Sequence, residues 1–445
     1  MENRFGNKII YQLAPRTFTP QGTLKAAQKL LPHLKETGFD VVYLTPIFLA
    51  DDDTDRSFWS ARLKKSGAEN PKNPYRMKDY YEIDEEYGTK EDLKAFVAAA
   101  HSLGLLVLLD LVYFHCGPKA AFLEEHPDFV RRNEAGGFAL GEWGYPVLNF
   151  DNPALREYLW KNMEYFVREF GVDGYRCDVG QLVPDDFWVE GIRRIRRINP
   201  DILMLNEGYV VDLTAGESEN GVFDANYNFS WCNRLIEAMD GRADAEALRA
   251  QWFKDRDYYR GLTGKCARMI DSHDLATDLP VRNELAWGSR GVECALVINH
   301  TIDGVPFVFN GYEVASTCAA CMFASRLSKG ENAIEWSNLL LPEGKYRLAW
   351  MKRLNELHHQ QEPIWKGSLR FPETTREKEL FAFVREYEGK RLLTVANVSA
   401  QPVCAEVSIE SAGMKELLAA GAAYRQEGPA LCLTIGPKGY LVLAD

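Results

Sequence analysis

Apolar positions along this chain follow two periods. Eight short runs, KIIYQLAP, FDVVYLTPI, GLLVLLDLVY, VDGYRCDV, ILMLNEG, VFDANYNF, KCARMIDSH and VPFVFNGYE, are nearly continuous in apolar residues. Stretches with helical spacing of apolar residues separate them. Continuous apolar runs of strand length read as strands buried on both faces, and their alternation with helices reads as a parallel sheet. Eight such β/α units predict a closed (β/α)8 TIM barrel.

The helices carry their own end signals. In GTKEDLKAFVAAAHSLG, Thr89 and Asp92 stand at capping-box spacing and Gly104 marks the stop. In DNPALREYLWKNMEYFVREFG, Asn152 is the N-cap, Pro153 opens the first turn and Gly171 ends the helix. Pro32 falls within the helical stretch after the first strand and predicts a kink or split there. Two connections are long, from about Phe48 to Tyr87 after the second strand and from about Cys116 to Asn152 after the third. Both leave the C-terminal ends of strands, where barrels place their functional loops. After a last helix, KYRLAWMKRLNELHH, the chain alternates apolar and polar residues in ELFAFVREYEGKRLLTVANVS, CAEVSIE and LCLTIGPKGYLVLAD. Such alternation predicts antiparallel strands. The expected fold is thus an α/β TIM barrel (1–115 and 152–362), a short inserted subdomain after strand 3 (116–151) and a C-terminal antiparallel β-sandwich (363–445).

Composition narrows the function classes. Hydrophobic residues make up 46% of the 445 positions and charged residues 26%, as in an ordinary globular protein. The net charge of −12 argues against nucleic acid or an anionic membrane as partner, since both reward clustered Lys and Arg. No stretch resembles a signal peptide or a membrane span. Nine cysteines lie scattered in apolar contexts such as Cys177 and Cys294, which points to a reducing, cytoplasmic setting. Cys318 and Cys321 form the one Cys-x-x-Cys and read as packing residues.

Candidate chemistry sits at the strand ends. In GVDGYRCDVG, Arg176 and Asp178 are two apart, so a strand points both to one side. A buried ion pair is costly unless it is well matched or functional. Strand 5 brings Glu207, strand 7 ends with His273 and Asp274, and strand 3 carries Asp110 with His115 just beyond. Several acids and histidines on one rim point to a catalytic site. Facing carboxylates serve either metal binding or glycoside hydrolysis. In hydrolysis one acid attacks while ionised, which a neighbouring arginine favours, and the other donates a proton from a less polar setting. Asp178 has its arginine, whereas Glu207 stands among Met204, Leu205 and Tyr209 with no basic neighbour in sequence. Phe58, Trp59 and Trp143 are aromatics that suit sugar stacking or loop packing, and Asp51 to Asp53 read as solvated surface.

Several motifs together resemble the α-amylase family of glycoside hydrolases, family 13. DLVYFH, GYRCD, NEG and DSHD are similar to its four motifs, in order and on the right strands; IIYQLAPRTF, DYYEIDEEYGTKEDLKAFVAAAHSLGLLVLLD and GVPFVFNGYE also follow it. The resemblance implies a retaining glycosidase acting on short α-glucans, with Asp178 as nucleophile, Glu207 as acid/base and Asp274 as the third carboxylate. It implies substrate contacts from His115 and His273, a ring-stacking Tyr75, an orienting Arg176 and a supporting Asp110. An oligosaccharide is then the expected partner. The family often holds calcium with an Asn before the first-motif His and with a later Asp; here those places are Phe114 and Val147, so no metal or other cofactor is expected. Leu182 stands where a His is frequent, Ser272 replaces Asn, and Gln181 replaces a frequent Lys, which leaves the contact with the next sugar open. A transglycosylase using the same intermediate, a non-catalytic binding barrel and a carboxylate metal site for other chemistry are the alternatives.

Overall fold

The computed structural model describes residues 4–208, 211–214, 222–279, 281–324 and 332–445. Eight parallel strands close into a barrel: β1 Ile10–Leu13, β2 Val41–Leu44, β3 Leu106–Leu111, β4 Gly174–Cys177, β5 Leu203–Asn206, β6 Ala225–Tyr227, β7 Cys266–Arg268 and β8 Val305–Phe309. Each lies within one of the eight predicted runs. β1 pairs with both β2 and β8, so the sheet has no free edge.

Helices cover the outside. The capping box of Thr89 and Asp92 opens the helix Lys90–Ser102, with both reciprocal bonds present. Asn152 caps Pro153–Phe170 through the Ala154 N–H, and Gly171 ends it in the left-handed conformation. The stretch around Pro32 is split into two helices, Leu24–Gln28 and Leu31–Thr37. The fifth unit departs from the pattern: the described part of its connection holds only the four-residue helix Val211–Thr214.

The barrel interior changes character from bottom to top. Ile10, Val41, Leu108, Leu203, Ala225, Ala267 and Val305 form an apolar plug. One strand step higher, on the same faces, come Gln12, Tyr43, Asp110, Arg176 and Tyr227, all buried. The register sets Asp110 of β3 directly beside Arg176 of β4.

After β3 the chain makes an excursion held by isolated bridges between Val130 and Leu148 and between Leu140 and Pro146. Asp51, expected at the surface, is fully buried instead. It accepts the backbone N–H groups of Asp53 and Lys119 and faces Arg76, tying the β2 and β3 connections together. Its side chain fills the place a Cβ of Gly117 would need.

Beyond the helix Pro342–Gln360, strands β9 Ser368–Arg370, β10 Leu380–Tyr387, β11 Lys390–Asn397, β12 Val403–Val407, β13 Lys415–Glu427 and β14 Ala430–Ala444 form one connected antiparallel sheet. The fifteen-residue β14 pairs β12 with its first half and β11 with its second. The sheet thereby encloses a core of its own, with Val384, Leu393, Val407, Leu431 and Ile435 at its centre.

His358, on the helix Pro342–Gln360, donates from Nδ1 to the His300 carbonyl at 2.8 Å. Burial pushes its pKa down to about 4. Below its ordinary value of 6.5 the unfolded chain takes up a proton that the folded state refuses until about pH 4. Stability from the neutral histidine is therefore complete above pH 6.5 and lost on acidification. The stability lead of the wild type over His358→Gln is expected to shrink by about 2 kcal/mol between pH 7 and pH 5. Urea unfolding of both proteins at the two pH values checks this; a constant lead contradicts it.

Candidate active site

Arg176 is the hub of the site. Its guanidinium is fully buried and lies between the rings of Tyr75 and Tyr227, 5.7 and 5.5 Å from their centres. Nη1 donates to Asp110 Oδ1 at 2.8 Å and to Asp178 Oδ1 at 2.8 Å. Nη2 lies 2.7 Å from Glu207 Oε2 without the alignment of a hydrogen bond. The expectation that Glu207 lacks a basic neighbour is thus corrected: sequence distance hid a guanidinium that serves both acids. Tyr209, expected beside Glu207, falls outside the described residues.

The electrostatics of Asp178 also differ from expectation. Burial raises the pKa of Asp178 well above the usual carboxylate range, against the pull of Arg176, with Glu207, Asp110 and Asp274 adding repulsion. Burial raises Glu207 as well, despite Arg176 and the Val179 N–H. One arginine does not depress the pKa of an acid that is fully buried and has three further acids beside it. Asp178 and Glu207 titrate as members of one cluster. Within it, Asp178 receives an aligned bond from Nη1, and Glu207 one from the Val179 N–H.

Val179, next to Asp178, has φ 38° and ψ 42°. A β-branched residue rarely adopts this left-handed conformation. The turn aims the Val179 N–H at Glu207 Oε2, 2.9 Å away. Asp110 accepts the hydroxyls of Tyr43 and Tyr75 besides Arg176, so its own bonds lie within the barrel.

His273 and Asp274 are not at a strand end. β7 stops at Arg268, and both residues open the short helix His273–Asp278 under the N-cap Ser272. Gln12 Nε2 donates to His273 Nδ1 at 2.6 Å while Gln12 Oε1 accepts the His273 backbone N–H at 3.0 Å. The imidazole is thereby held with Nε2–H exposed to Asp274 Oδ2, 3.2 Å away. Burial keeps His273 neutral, with a pKa near 4. Asp274, unlike Asp178 and Glu207, is lowered: His273, Arg62 and Arg176 outweigh burial.

Asp178, Glu207, Asp274, Tyr75, His115 and His273 line one cleft of about 350 Å³, with Trp143, Tyr145, Phe229 and Asn233. Tyr75 stacks on His273 with ring centres 5.1 Å apart and an 11° interplanar angle, presenting an aromatic wall. His115 Nε2 pairs with the Tyr75 carbonyl at 2.8 Å, and its pKa is pushed by burial to about 4. Of the three aromatics suggested for stacking, only Trp143 lines the cleft. Trp59 is buried with its Nε1 on the Asp53 carbonyl, and Phe58 packs edge-on to Phe138. Gln181 lies against Gly208, whose φ of 104° and lack of Cβ leave room for it. Two residues escaped the sequence reading. Gln12 was legible as a polar residue inside an apolar strand; Arg62, in a short helix of the connection after β2, carried no signal.

A family model for the alpha amylase catalytic domain matches residues 6–136 and 139–338. The chain belongs to the α-amylase family. A second model of the maltogenic amylase C-terminal domain matches residues 370–442, the segment of the antiparallel sheet. Among curated members, the chain is 26% identical over 408 residues to a cyclomaltodextrinase from Bacillus sp, covering 84% of this chain and 65% of that one. It is 25% identical over 422 residues to neopullulanase 2 of Thermoactinomyces vulgaris, covering 89% and 66%. The chain thus spans about two thirds of the length of these relatives. A maltogenic alpha-amylase from Thermotoga neapolitana shares the fold, with a TM-score of 0.77, 21% identity and coverage of 100% and 99%.

The α-amylase family often carries calcium beside this site; at the two positions compared, Phe114 and Val147 supply no side-chain oxygen. A Cβ on Gly141 would meet Val147 Cγ2 at 3.2 Å and the Phe114 ring at 3.3 Å, so apolar groups converge at the positions of the expected ligands. Among the described residues, no group of three or more His, Cys, Asp or Glu is arranged to hold a metal.

Proposed function

We propose that the protein hydrolyses α-glucosidic bonds of short α-glucans with retention of configuration, and needs no metal to do so. The observation that carries this reading is the single guanidinium shared by Asp178 and Glu207. Asp178 Oδ1 and Glu207 Oε2 lie 2.8 and 2.7 Å from its two terminal nitrogens, which keeps the two carboxyls close enough to face one anomeric carbon. A retaining pair needs a separation of roughly 5 Å, whereas an inverting pair leaves roughly 6.5–9.5 Å for a water.

In this reading Asp178 attacks the anomeric carbon through Oδ2, the oxygen not bonded to Arg176. Glu207 gives its proton to the departing glycosidic oxygen, and a glycosyl ester to Asp178 results. Water then enters; Glu207 takes its proton, the hydroxyl adds to the anomeric carbon and Asp178 leaves as carboxylate. Asp274 and the Nε2–H of His273 hold sugar hydroxyls, His115 supports the same ring, and Tyr75 offers its face beneath it. Asp110 steadies Arg176 from behind. The names of the curated relatives, cyclomaltodextrinase and neopullulanase among them, support glucan substrates. Nine free cysteines, most of them buried, support a cytoplasmic location. Among the described residues no helix is long and apolar enough to cross a membrane.

The test is NMR of the first product anomers from maltotriose in the presence of a chelator. The α-anomer at an undiminished rate is expected. Prompt formation of the β-anomer, or activity abolished by chelation and restored by calcium, contradicts the reading; products longer than the donor would assign the chain to transglycosylation instead.

A further inference from the structure

The cleft is barred on one side by a residue that the reaction itself does not use. Arg62 sits in the helix Ala61–Ser66, on the connection after β2. Ser60 caps that helix through the Leu63 N–H at 3.1 Å, Leu63 anchors it in the core, and Gly67 ends it with φ 72°. The arginine therefore arrives from a short, well-ended element.

From there Arg62 reaches the helix His273–Asp278, on the connection after β7. Nη1 donates to Asp274 Oδ1 at 2.7 Å, Nη2 to the Asp274 carbonyl at 3.1 Å and Nε to Asp278 Oδ1 at 2.8 Å. Asp274 and Asp278 are four apart on one helix and share a face, so one planar guanidinium meets both. Charge-assisted, multidentate contacts of this kind are the stronger and more directional ones. The Arg62 side chain is 30% exposed, which places the bridge at the mouth of the cleft rather than in its floor. Arg62, Asp274 and Asp278 all line that cleft.

β2 and β7 are separated around the barrel by β1 and β8, so the bridge closes the arc of rim above those two strands. Glu207 enters from β5, on the other arc. If Glu207 is the proton donor, its arc receives the leaving group, and the barred arc is the glycone side. Asp274 has both oxygens occupied at rest, Oδ1 by Arg62 and Oδ2 by His273. A chain running onward past Asp274 on that arc meets the bridge and its three bonds.

We infer that Arg62 is a specificity-determining residue that seals the glycone end of the cleft, so that the enzyme removes sugars from non-reducing ends and disfavours substrates without ends. This rests on the proposed function. The probe is a pair of six-glucose substrates, linear maltohexaose and the corresponding cyclic glucan, compared by kcat/KM. Wild type is expected to prefer the linear form by at least about tenfold, the scale on which one lost binding contact discriminates. Arg62→Ala is expected to narrow that ratio about tenfold, with Asp278→Asn, which keeps the Asp274 contacts, lying between. Thermal unfolding verifies that each variant is folded. Equal wild-type rates on both substrates, or a ratio unchanged in folded Arg62→Ala, overturns the bar while leaving glucan hydrolysis standing. No turnover of linear maltohexaose by wild type overturns the proposed function, and the bar with it.

Discussion

Replacing Asp178 with asparagine is expected to lower turnover of maltooligosaccharides by at least about 10,000-fold, the scale on which loss of a nucleophile acts, without unfolding the protein. An amide neither attacks the anomeric carbon effectively nor leaves it as a carboxylate. No other acid takes over the position: Asp274 is bound to Arg62 and His273, and Asp110 is turned to Tyr43, Tyr75 and Arg176. The fold has no need of the charge. Burial and three nearby acids raise the pKa of Asp178, which means that its ionised form costs the folded state free energy. Arg176 keeps Asp110 and Glu207 as partners in the variant. The thermal midpoint of Asp178→Asn is therefore expected to equal or exceed that of the wild type. Turnover above about 1% of wild type in a folded variant refutes the assignment of the nucleophile, given that scale of loss.

Glu207→Gln is expected to separate substrates by their leaving groups. General acid assistance contributes roughly 100- to 10,000-fold when the departing oxygen is basic. An aryl glycoside with an acidic phenol needs little of it. The kcat/KM for maltooligosaccharides should therefore fall by that factor, while the kcat/KM for a dinitrophenyl glycoside should fall far less. Glutamine keeps an oxygen for the Val179 N–H, so the strained turn beside Asp178 retains its contact. Parallel losses on both substrates contradict the role given to Glu207.

Much of this was legible in the sequence because the barrel repeats one pattern. Each strand is buried on both faces and so is written in continuous apolar letters; a charged letter in such a run, such as Arg176 or Asp110, stands out. Capping residues are equally local, and Thr89, Asn152 and Gly171 act as their spacing indicates. What escaped depends on distance through space. Glu207 meets Arg176 across neighbouring strands, so its sequence context misled. Burial, with repulsion from Glu207 and Asp110 added, outweighs the arginine and sets the pKa of Asp178. Strand 7 ends five residues before His273 because Ser272 finds N–H groups to cap, which converts the expected strand end into a helix start. Asp51 looked like part of a solvated acidic run, yet backbone N–H groups of two loops claim it. Arg62 lies in a short helix among other charges, and only the fold brings it to Asp274.

The claim on which the rest depends is that Asp178 becomes covalently joined to the sugar. A glucosyl fluoride fluorinated on the ring loads a retaining enzyme quickly and leaves it slowly, so the intermediate accumulates. Peptide mass mapping after such treatment should find one added fluoroglucosyl group, on the peptide that carries Asp178 and absent in Asp178→Asn. An adduct on Glu207 or Asp274, or turnover of the reagent to the β-product with no adduct at all, would contradict the account.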